Sequence, residues 1–238
     1  QDKVRGAESF WRYRGLVSVV KLDGLVALLE GFPALTGVDL TVDAGEIVLV
    51  KGPNGAGKTT LLHLCAGLIQ PKEGKGLILG HDLCAERNAI RKKVGLLSHS
   101  SGLYRDLTVI ENITFWTQIA GVEKSEIDNR ISWALERMDL DSKLQNKKVR
   151  SLSAGQKRRT SLAVFIVRRP DLWLLDEPHA GLDQEGRQVV DNLIEESVGA
   201  GATVIVASHD LERVLKISTR VVTLSGGALV NVDHEGNK

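Results

Sequence analysis

The sequence GPNGAGKTT, from Gly52 to Thr60, is the stretch that decides the fold. It fits the pattern G-x-x-x-x-G-K-[ST], with an apolar strand-like run before it and the helix-like run LLHLCAGL after it. Glycines in such a loop let main-chain N–H groups curl around phosphates, while Lys58 reaches the β- and γ-phosphates and Thr59 offers its hydroxyl to Mg²⁺. A glycine-rich turn with a chance lysine is the alternative, which the flanking strand and helix disfavour. The predicted phosphate-binding residues are Gly52, Pro53, Asn54, Gly55, Ala56, Gly57, Lys58, Thr59 and Thr60.

A second run, LWLLDE, places two adjacent carboxylates at the end of an apolar strand. Ligands bind at the carboxyl ends of the strands in open parallel sheets. Asp176 is predicted to hold Mg²⁺, through water or by supporting Thr59. Glu177 is predicted to polarise an attacking water as a general base. A solvent-exposed acidic strand end is the alternative, and it is the weaker one beside a phosphate loop.

The composition is typical of a globular protein with a core. The chain has 238 residues, 42% of them hydrophobic and 26% charged, and a formal net charge of +1. That charge gives no reason to expect binding to nucleic acid or to an anionic membrane. No apolar run approaches the roughly 18 to 20 residues of a membrane span. Cys65 and Cys84 lack the CxxC spacing of a metal site, so neither a metal site nor a disulfide is expected there.

Strand and helix patterns alternate along most of the chain, which predicts a mostly parallel α/β sheet. Between about 105 and 165 the pattern is helical only, and this predicts an inserted helical lobe. Residues 1–15 are predicted to form a poorly ordered extension. Strands are predicted at 16–29, 35–42, 47–50, 77–79, 94–97, 172–175 and 202–207, helices at 108–119, 124–138, 154–168, 184–198 and 211–217, and a hairpin at 221–230.

The run LSAGQ begins one of these predicted helices, upstream of LWLLDE. Ser153 is suited to cap the helix, where its hydroxyl and the free main-chain N–H groups form an anion site. In this register the run resembles the signature motif of ATP-binding-cassette (ABC) ATPases. The usual form is LSGGQ, and Ala154 replaces the first glycine. The predicted signature residues are Ser153, Ala154, Gly155 and Gln156.

The resemblance to ABC ATPases covers about 22–229 and implies roles for three further residues. Asp183 in AGLD resembles the aspartate of the D-loop, and His209 in ASHDL resembles the switch histidine that contacts the γ-phosphate. Phe32 stands where the family often places an aromatic that stacks on adenine. An ordinary core phenylalanine is the alternative for Phe32.

The resemblance also implies an architecture and a way of working. It implies a P-loop NTPase (RecA-like) parallel-sheet core with an N-terminal antiparallel β part and the inserted helical lobe, within an ATPase domain of residues 16–238. ATP and Mg²⁺ are the implied cofactors. Each ATP is expected to lie between Lys58 of one protomer and Ser153 of a second cassette, either an identical copy or a paralogue, so that one chain alone is not fully competent.

The stretch LLSHSSGLYRDL departs from the family pattern. Most members have glutamine at the end of this strand, where its amide oxygen helps to bind Mg²⁺ and the attacking water, and here His99 takes that position. A protonated imidazole would repel Mg²⁺. His99 is therefore predicted to act as a neutral catalytic partner, or else to leave Mg²⁺ to Thr59, Asp176 and water.

A single compact cassette without a membrane span resembles the ATPase subunit of a transporter whose channel is a separate polypeptide. Transmembrane permease subunits are the expected partners, nucleic acid is not, and the expected location is the cytoplasmic face of the cell membrane. The aromatic residues Tyr104, Phe115 and Trp116 are the predicted coupling surface; packing inside the helical lobe is the alternative for Phe115 and Trp116.

The cargo is predicted from NGAGKTTLLHLCAGL, LSAGQKRR and the histidine at the glutamine position. Together these are similar to the heme-exporter subunit of cytochrome c maturation (the CcmA family). The alternatives are the ATPase of a general small-molecule or drug exporter and an ABC-type switch that acts on the ribosome or on DNA.

Overall fold

The computed structural model describes residues 18–98 and 100–233; the predicted extension 1–15 and His99 lie outside this range. The strands are β1 (Ser18–Leu29), β2 (Phe32–Asp43), β3 (Ile47–Lys51), β4 (Glu73–Ile78), β5 (His81–Asp82), β6 (Val94–Leu97), β7 (Leu172–Asp176), β8 (Thr203–Ala207), β9 (Arg220–Ser225) and β10 (Ala228–Asp233). The α-helices are α1 (Lys58–Cys65), α2 (Arg87–Lys93), α3 (Val109–Ile119), α4 (Lys124–Arg137), α5 (Ser142–Gln145), α6 (Ala154–Val167), α7 (Gln184–Gly199) and α8 (Leu211–Ile217), and a 3₁₀ turn covers Val149–Ser151.

Two compact units make up the described chain. Unit 1 contains the described residues of 1–96, 171–177 and 193–238, and unit 2 contains those of Leu97–Pro170 and Pro178–Asn192. The chain therefore passes from one unit to the other after Leu96, Pro170, Glu177 and Asn192.

Unit 1 is built on two sheets. A six-stranded sheet has the order β10-β9-β3-β8-β7-β6, in which β3 runs parallel to both β8 and β9, and β7 runs parallel to β8. A four-stranded antiparallel sheet has the order β2-β1-β4-β5. The central strands β7 and β8 are buried along their whole length, which explains why they read as unbroken apolar runs.

The core of unit 1 joins residues of both sheets to helix α1. Leu61, Leu64 and Cys65 of α1 are fully buried and belong to one cluster with residues such as Leu22 of β1 and Leu174 of β7. This packing fixes the first turn of α1, and with it the phosphate loop, at the ends of β3 and β7.

Unit 2 is mainly helical. Helix α6 packs against both α3 and α4, and α3 also contacts α5. Thr108 caps α3 and Ser153 caps α6, each in a capping box with the residue three positions later. No helix in the described part of the chain has the length and apolar character that crossing a bilayer requires.

The predicted fold class is confirmed, and the differences are short elements that were not predicted, such as α2, and the ends of several others. Strand β4 begins earlier than the predicted strand at 77–79 and ends before Leu79, whose φ is +51°. The basic run at 88–93, predicted as no regular element, forms α2. The helices predicted at 124–138 and 154–168 each end one residue earlier, because Met138 and Arg168 are their C-caps.

Candidate active site

The phosphate loop connects β3 to α1 and depends on three glycines with positive φ. The φ angles are +152° at Gly52, +77° at Gly55 and +101° at Gly57. A Cβ at Gly52 would collide with the carbonyl oxygen of Leu224, and one at Gly57 would lie 2.6 Å from that of Ala34. Glycine is thus required at Gly52 and Gly57 for space as well as for conformation.

The side chain of Lys58 is buried and crosses the phosphate loop. Its Nζ donates hydrogen bonds to the carbonyl oxygens of Gly52 at 2.7 Å and Pro53 at 3.0 Å. These two bonds hold the ammonium group against the main chain of the loop.

The structure brings Thr59 and Asp176 together. The Oγ1 of Thr59 donates to Oδ2 of Asp176 at 2.9 Å. Asp176 is the last residue of β7 and pairs in register with Ala207 of β8, so the parallel sheet delivers its carboxylate to the first turn of α1. Two residues that are far apart in sequence thus present a hydroxyl and a carboxylate oxygen at one point.

Glu177 follows at the end of β7 in an uncommon backbone conformation. Its φ is +49°, a left-handed value that is unfavourable for a non-glycine residue, and its N–H donates to Ala207 O at 2.9 Å. Its Oε2 accepts from the N–H of His209 at 3.2 Å and from the hydroxyl of Ser208 at 3.4 Å, and its Oε1 lies 3.7 Å from His209 Nε2. The strained turn therefore places the carboxylate against the loop that follows β8.

Phe32 lies at the exposed end of the β1–β2 hairpin. Its exposed fraction is 77%, which excludes the alternative of an ordinary core phenylalanine. Leu28 and Leu29, opposite it in the hairpin, are also exposed. Ala34, two residues further along β2, meets the phosphate loop at Gly57. The exposed apolar surface around Phe32 thus lies on the same strand, β2, that contacts the phosphate loop through Ala34.

The predicted signature residues lie at the start of α6 in unit 2. Gln156 N–H donates to Ser153 Oγ at 3.2 Å, and Ser153 N–H donates to Gln156 Oε1 at 3.0 Å. A Cβ at Gly155 would lie 3.0 Å from the carbonyl oxygen of Gly181, whereas Ala154 is accommodated. A side chain at the second glycine position of the motif would therefore be crowded by this carbonyl, whereas the alanine at the first glycine position makes no close contact with Gly181.

Asp183 also lies in unit 2, immediately before the start of α7. Its Oδ1 accepts from Gly186 N–H at 2.9 Å and from Arg159 Nη2 at 3.3 Å. The pKa of Asp183 is lowered, first by the hydrogen bond from the Gly186 N–H and then by Arg159. The carboxylate is thus held ionised at the end of the loop that follows Glu177.

The sequence pattern did not identify several residues that hold these loops. Ser208 binds Glu177, Arg158 binds two main-chain carbonyl oxygens, and buried His179 pairs with buried Asp191 through Nε2 and Oδ1 at 2.8 Å. The only available signals were a serine before His209 and an arginine two residues after the signature. The role predicted for His99 lies outside the described residues and stays a prediction.

The three predicted coupling aromatics form one cluster in unit 2. Ring centroids lie 5.0 Å apart for Tyr104 and Phe115, 5.5 Å for Phe115 and Trp116, and 6.1 Å for Tyr104 and Trp116. Tyr104 is 48% exposed, while the other two rings are partly buried. The cluster therefore combines packing within the helical unit with one accessible ring.

Comparison with known proteins assigns the family. Residues 35–180 match the family described as ABC transporter. The chain belongs to the ABC transporter family. It is therefore an ATPase of the ATP-binding-cassette class, as the loop, the carboxylates and the signature predicted.

Individual relatives in this family serve different processes. The chain is 36% identical to the cell division ATP-binding protein FtsE of Escherichia coli (88% of this chain, 96% of the relative). It is 33% identical to the daunorubicin resistance ATP-binding protein DrrA3 of Streptomyces coeruleorubidus (90% and 67%). It is 34% identical to the sulfate/thiosulfate import ATP-binding protein CysA 1 of Agrobacterium fabrum, of which it spans 62%. These names do not support the specific resemblance to the heme exporter.

Solved structures share the fold. The ATP-binding cassette MJ0796, described as a dimer in a post-hydrolysis state bound to ADP and Pi, superposes with a TM-score of 0.81 at 28% identity (92% of this chain, 100% of that one). CbiO1 from Clostridium perfringens, described as part of the ABC transporter complex cbiONQ, gives a TM-score of 0.77 at 28% identity (91% and 88%).

Proposed function

We propose that this chain is the ATP-binding and ATP-hydrolysing subunit of an ABC transporter and drives transport through separate membrane subunits. The observation that carries the proposal is the hydrogen bond of 2.9 Å between Thr59 and Asp176, with Glu177 next in the chain. A phosphate loop, a metal-binding pair and a candidate base thus converge at one edge of the sheet.

The donor set at Thr59 and Asp176 fits Mg²⁺. Both side chains offer hard oxygen ligands, and Mg²⁺ commonly takes one or two protein ligands together with water and substrate phosphates. No cluster of three or more acidic, histidine or cysteine side chains suited to a metal occurs among residues 18–98 and 100–233. When bound, Mg²⁺ would neutralise charge on the phosphates.

The remaining residues of unit 1 complete the nucleotide site. Lys58 binds neutral carbonyl oxygens, which are weaker partners for an ammonium than phosphate oxygens are, so it can exchange them for the β- and γ-phosphates. Glu177 would orient and deprotonate the attacking water, while His209, whose main-chain N–H donates to Glu177, would contact the γ-phosphate. The exposed ring of Phe32 offers a stacking surface for adenine.

The signature would act on the ATP of a second cassette. Ser153 begins α6 at an exposed position, where its hydroxyl and the free N–H groups of the first turn suit a phosphate. Asp183 would contribute from the D-loop. The dimer described for MJ0796 supports two cassettes as the working unit.

The membrane partner would dock on unit 2 at the exposed face of Tyr104. That ring stacks on the partly buried ring of Trp116, so it offers a partner an accessible aromatic surface that is held in place. We place the assembly at the cytoplasmic face of the cell membrane, and the transporter complex that contains CbiO1 supports such an arrangement.

The cargo would be bound by the membrane subunits, because the predicted contacts of the cassette are with nucleotide, with a second cassette and with the membrane partner. The motif resemblance points to heme export in cytochrome c biogenesis. The relative named for daunorubicin resistance favours a second candidate, a drug or small-molecule exporter. Co-purification from detergent-solubilised membranes, followed by identification of the integral partner, separates the two.

The test of the ATPase proposal is Glu177→Gln. With ATP and Mg²⁺, we expect the wild type to hydrolyse ATP and the variant to accumulate as an ATP-bound dimer in size-exclusion chromatography, because binding persists while the base is lost. Glu195→Gln, an exposed glutamate on α7, is the matched control and should behave like the wild type. A variant that stays monomeric, or a wild type without Mg²⁺-dependent hydrolysis, would contradict the proposal.

A further inference from the structure

Arg158 is a buried arginine whose guanidinium joins two separate loops. It lies just after the first turn of α6 and is 7% exposed. Its Nε donates to the carbonyl oxygen of Pro178 at 3.1 Å, and its Nη1 donates to that of Ser98 at 3.0 Å. All three residues belong to unit 2.

The two acceptors stand next to the predicted catalytic residues. Ser98 immediately precedes His99, and Pro178 immediately follows Glu177. They also lie at two of the points where the chain enters unit 2. One guanidinium therefore holds the main chain of both entering segments to the helix that begins with the signature.

Neighbouring contacts strengthen both attachments. Ser161, one turn after Arg158 on the same face of α6, donates through Oγ to the carbonyl oxygen of Ser101 at 2.9 Å, so α6 holds the loop on both sides of His99. On the other side, His179 follows Pro178 and is paired with Asp191.

The chemistry of the contact favours a positioning role over a stabilising one. A buried charge is unfavourable unless it is well hydrogen-bonded, and apolar replacements of such groups are often neutral or stabilising. The planar guanidinium can reach two acceptors in fixed directions, which a lysine ammonium on a flexible stem does less well. The buried charge here is directed at two main-chain oxygens, and each belongs to a residue next in sequence to a predicted catalytic residue.

We propose that Arg158 is a positioning residue for ATP hydrolysis, which holds the main chain at Ser98 and at Pro178 to the signature helix. The inference rests on the proposed function, since it concerns the geometry of that reaction. Arg158 is not expected to touch ATP.

The test compares Arg158→Met and Arg158→Lys with Arg130→Met in the full chain. Arg130 is a matched control, because it also lies in unit 2 and donates to a main-chain carbonyl, that of Val167, at 3.3 Å, together with Glu126. For Arg158→Met we expect kcat for ATP to fall about 10- to 100-fold, the effect of slight misplacement of catalytic groups, with KM for ATP within about threefold of wild type.

Arg158→Lys should restore part of kcat, since an ammonium can reach one of the two carbonyls. Arg130→Met should lower the melting temperature without lowering kcat. On a Glu177→Gln background, Arg158→Met should still form the ATP-bound dimer, which would show that ATP binding survives. If Arg158→Met does not fold, the kcat of Arg158→Lys decides.

Arg158 variants with wild-type kcat, or a loss of kcat matched by Arg130→Met, would overturn the inference. A wild type that does not hydrolyse ATP would instead overturn the proposed function.

Discussion

At the scale of single residues, the phosphate loop separates two reasons for glycine. At Gly57 a side chain meets both an unfavourable φ and Ala34 O, whereas at Gly55 it meets only the φ. We expect Gly57→Ala to lower the free energy of unfolding by about 1–3 kcal/mol and to abolish ATP binding. Gly55→Ala should lower it by about 1 kcal/mol. Urea unfolding of both variants checks this, and equal losses would show that the contact with Ala34 is unimportant.

The two cysteines should differ in reactivity. Full burial raises the pKa of the Cys65 thiol to about 12, while Cys84 is exposed. Because the raised pKa favours the neutral thiol, only about one Cys65 in 10⁴ is a thiolate at pH 8. With a thiol-reactive disulfide reagent we expect one thiol to react quickly in the folded protein and the second only after denaturation. Fast reaction of two thiols in the native state would refute the expected packing of α1.

The residues that the sequence could predict are those with a local pattern. Thr59 and Asp176 belong to the recognisable runs GPNGAGKTT and LWLLDE, and the parallel sheet brings these two runs together. The left-handed φ of Glu177 and its bond to Ser208 have no local signature, because both arise where β7 and β8 end side by side. Arg158 was missed for the same reason: its acceptors are main-chain oxygens, which every residue carries, so the side chains of Ser98 and Pro178 do not reveal them.

At the scale of elements, the capping box of α3 should make stability depend on pH. The pKa of Glu111 is lowered, first because the Thr108 N–H donates to its carboxylate and then because the Thr108 hydroxyl does. A lowered pKa in the folded state means that the contribution to stability is present above the unfolded pKa of about 4.3 and is lost as pH falls through the folded value.

Glu111→Gln should therefore flatten the acid side of the stability profile. We expect the melting temperature of the variant to fall less than that of the wild type between about pH 6 and pH 3. Glu136→Gln, at an exposed position on α4, should leave the wild-type slope. Equal slopes for all three proteins would contradict a role for the ionised Glu111 carboxylate in the cap.

Helices and strands were predictable where the sequence carries one clear hydrophobic pattern. The continuous apolar strands β3, β7 and β8 and the capped helices α3 and α6 follow directly from their patterns. Helix α2 was missed because its sequence is dominated by charge and only Ile90 is fully buried. Strand β4 was predicted too short because its first residues, including Gly74 and Gly76, acquire strand geometry only through pairing with β1.

At the scale of the whole molecule, the predicted catalytic groups divide between the two units. The phosphate loop, Asp176, Glu177 and His209 lie in unit 1, and the signature and Asp183 lie in unit 2. The family resemblance expects a complete site to take the first set from one protomer and the second from its partner. The sequence predicts residues for both halves, but it carries little information on cargo, since cargo recognition would belong to the membrane subunits.

Complementation between two inactive variants tests this division of labour. Lys58→Met removes the cation of the phosphate loop. Ser153→Asp keeps a good helix cap but sets a negative charge against the phosphate. We expect each variant alone to lose ATPase activity. In an equimolar mixture half the dimers are mixed, and each mixed dimer has one intact site, so roughly a quarter of the sites should recover. A mixture that stays inactive while both variants are folded, or Ser153→Asp with wild-type activity, would show that the signature does not act on the partner's ATP.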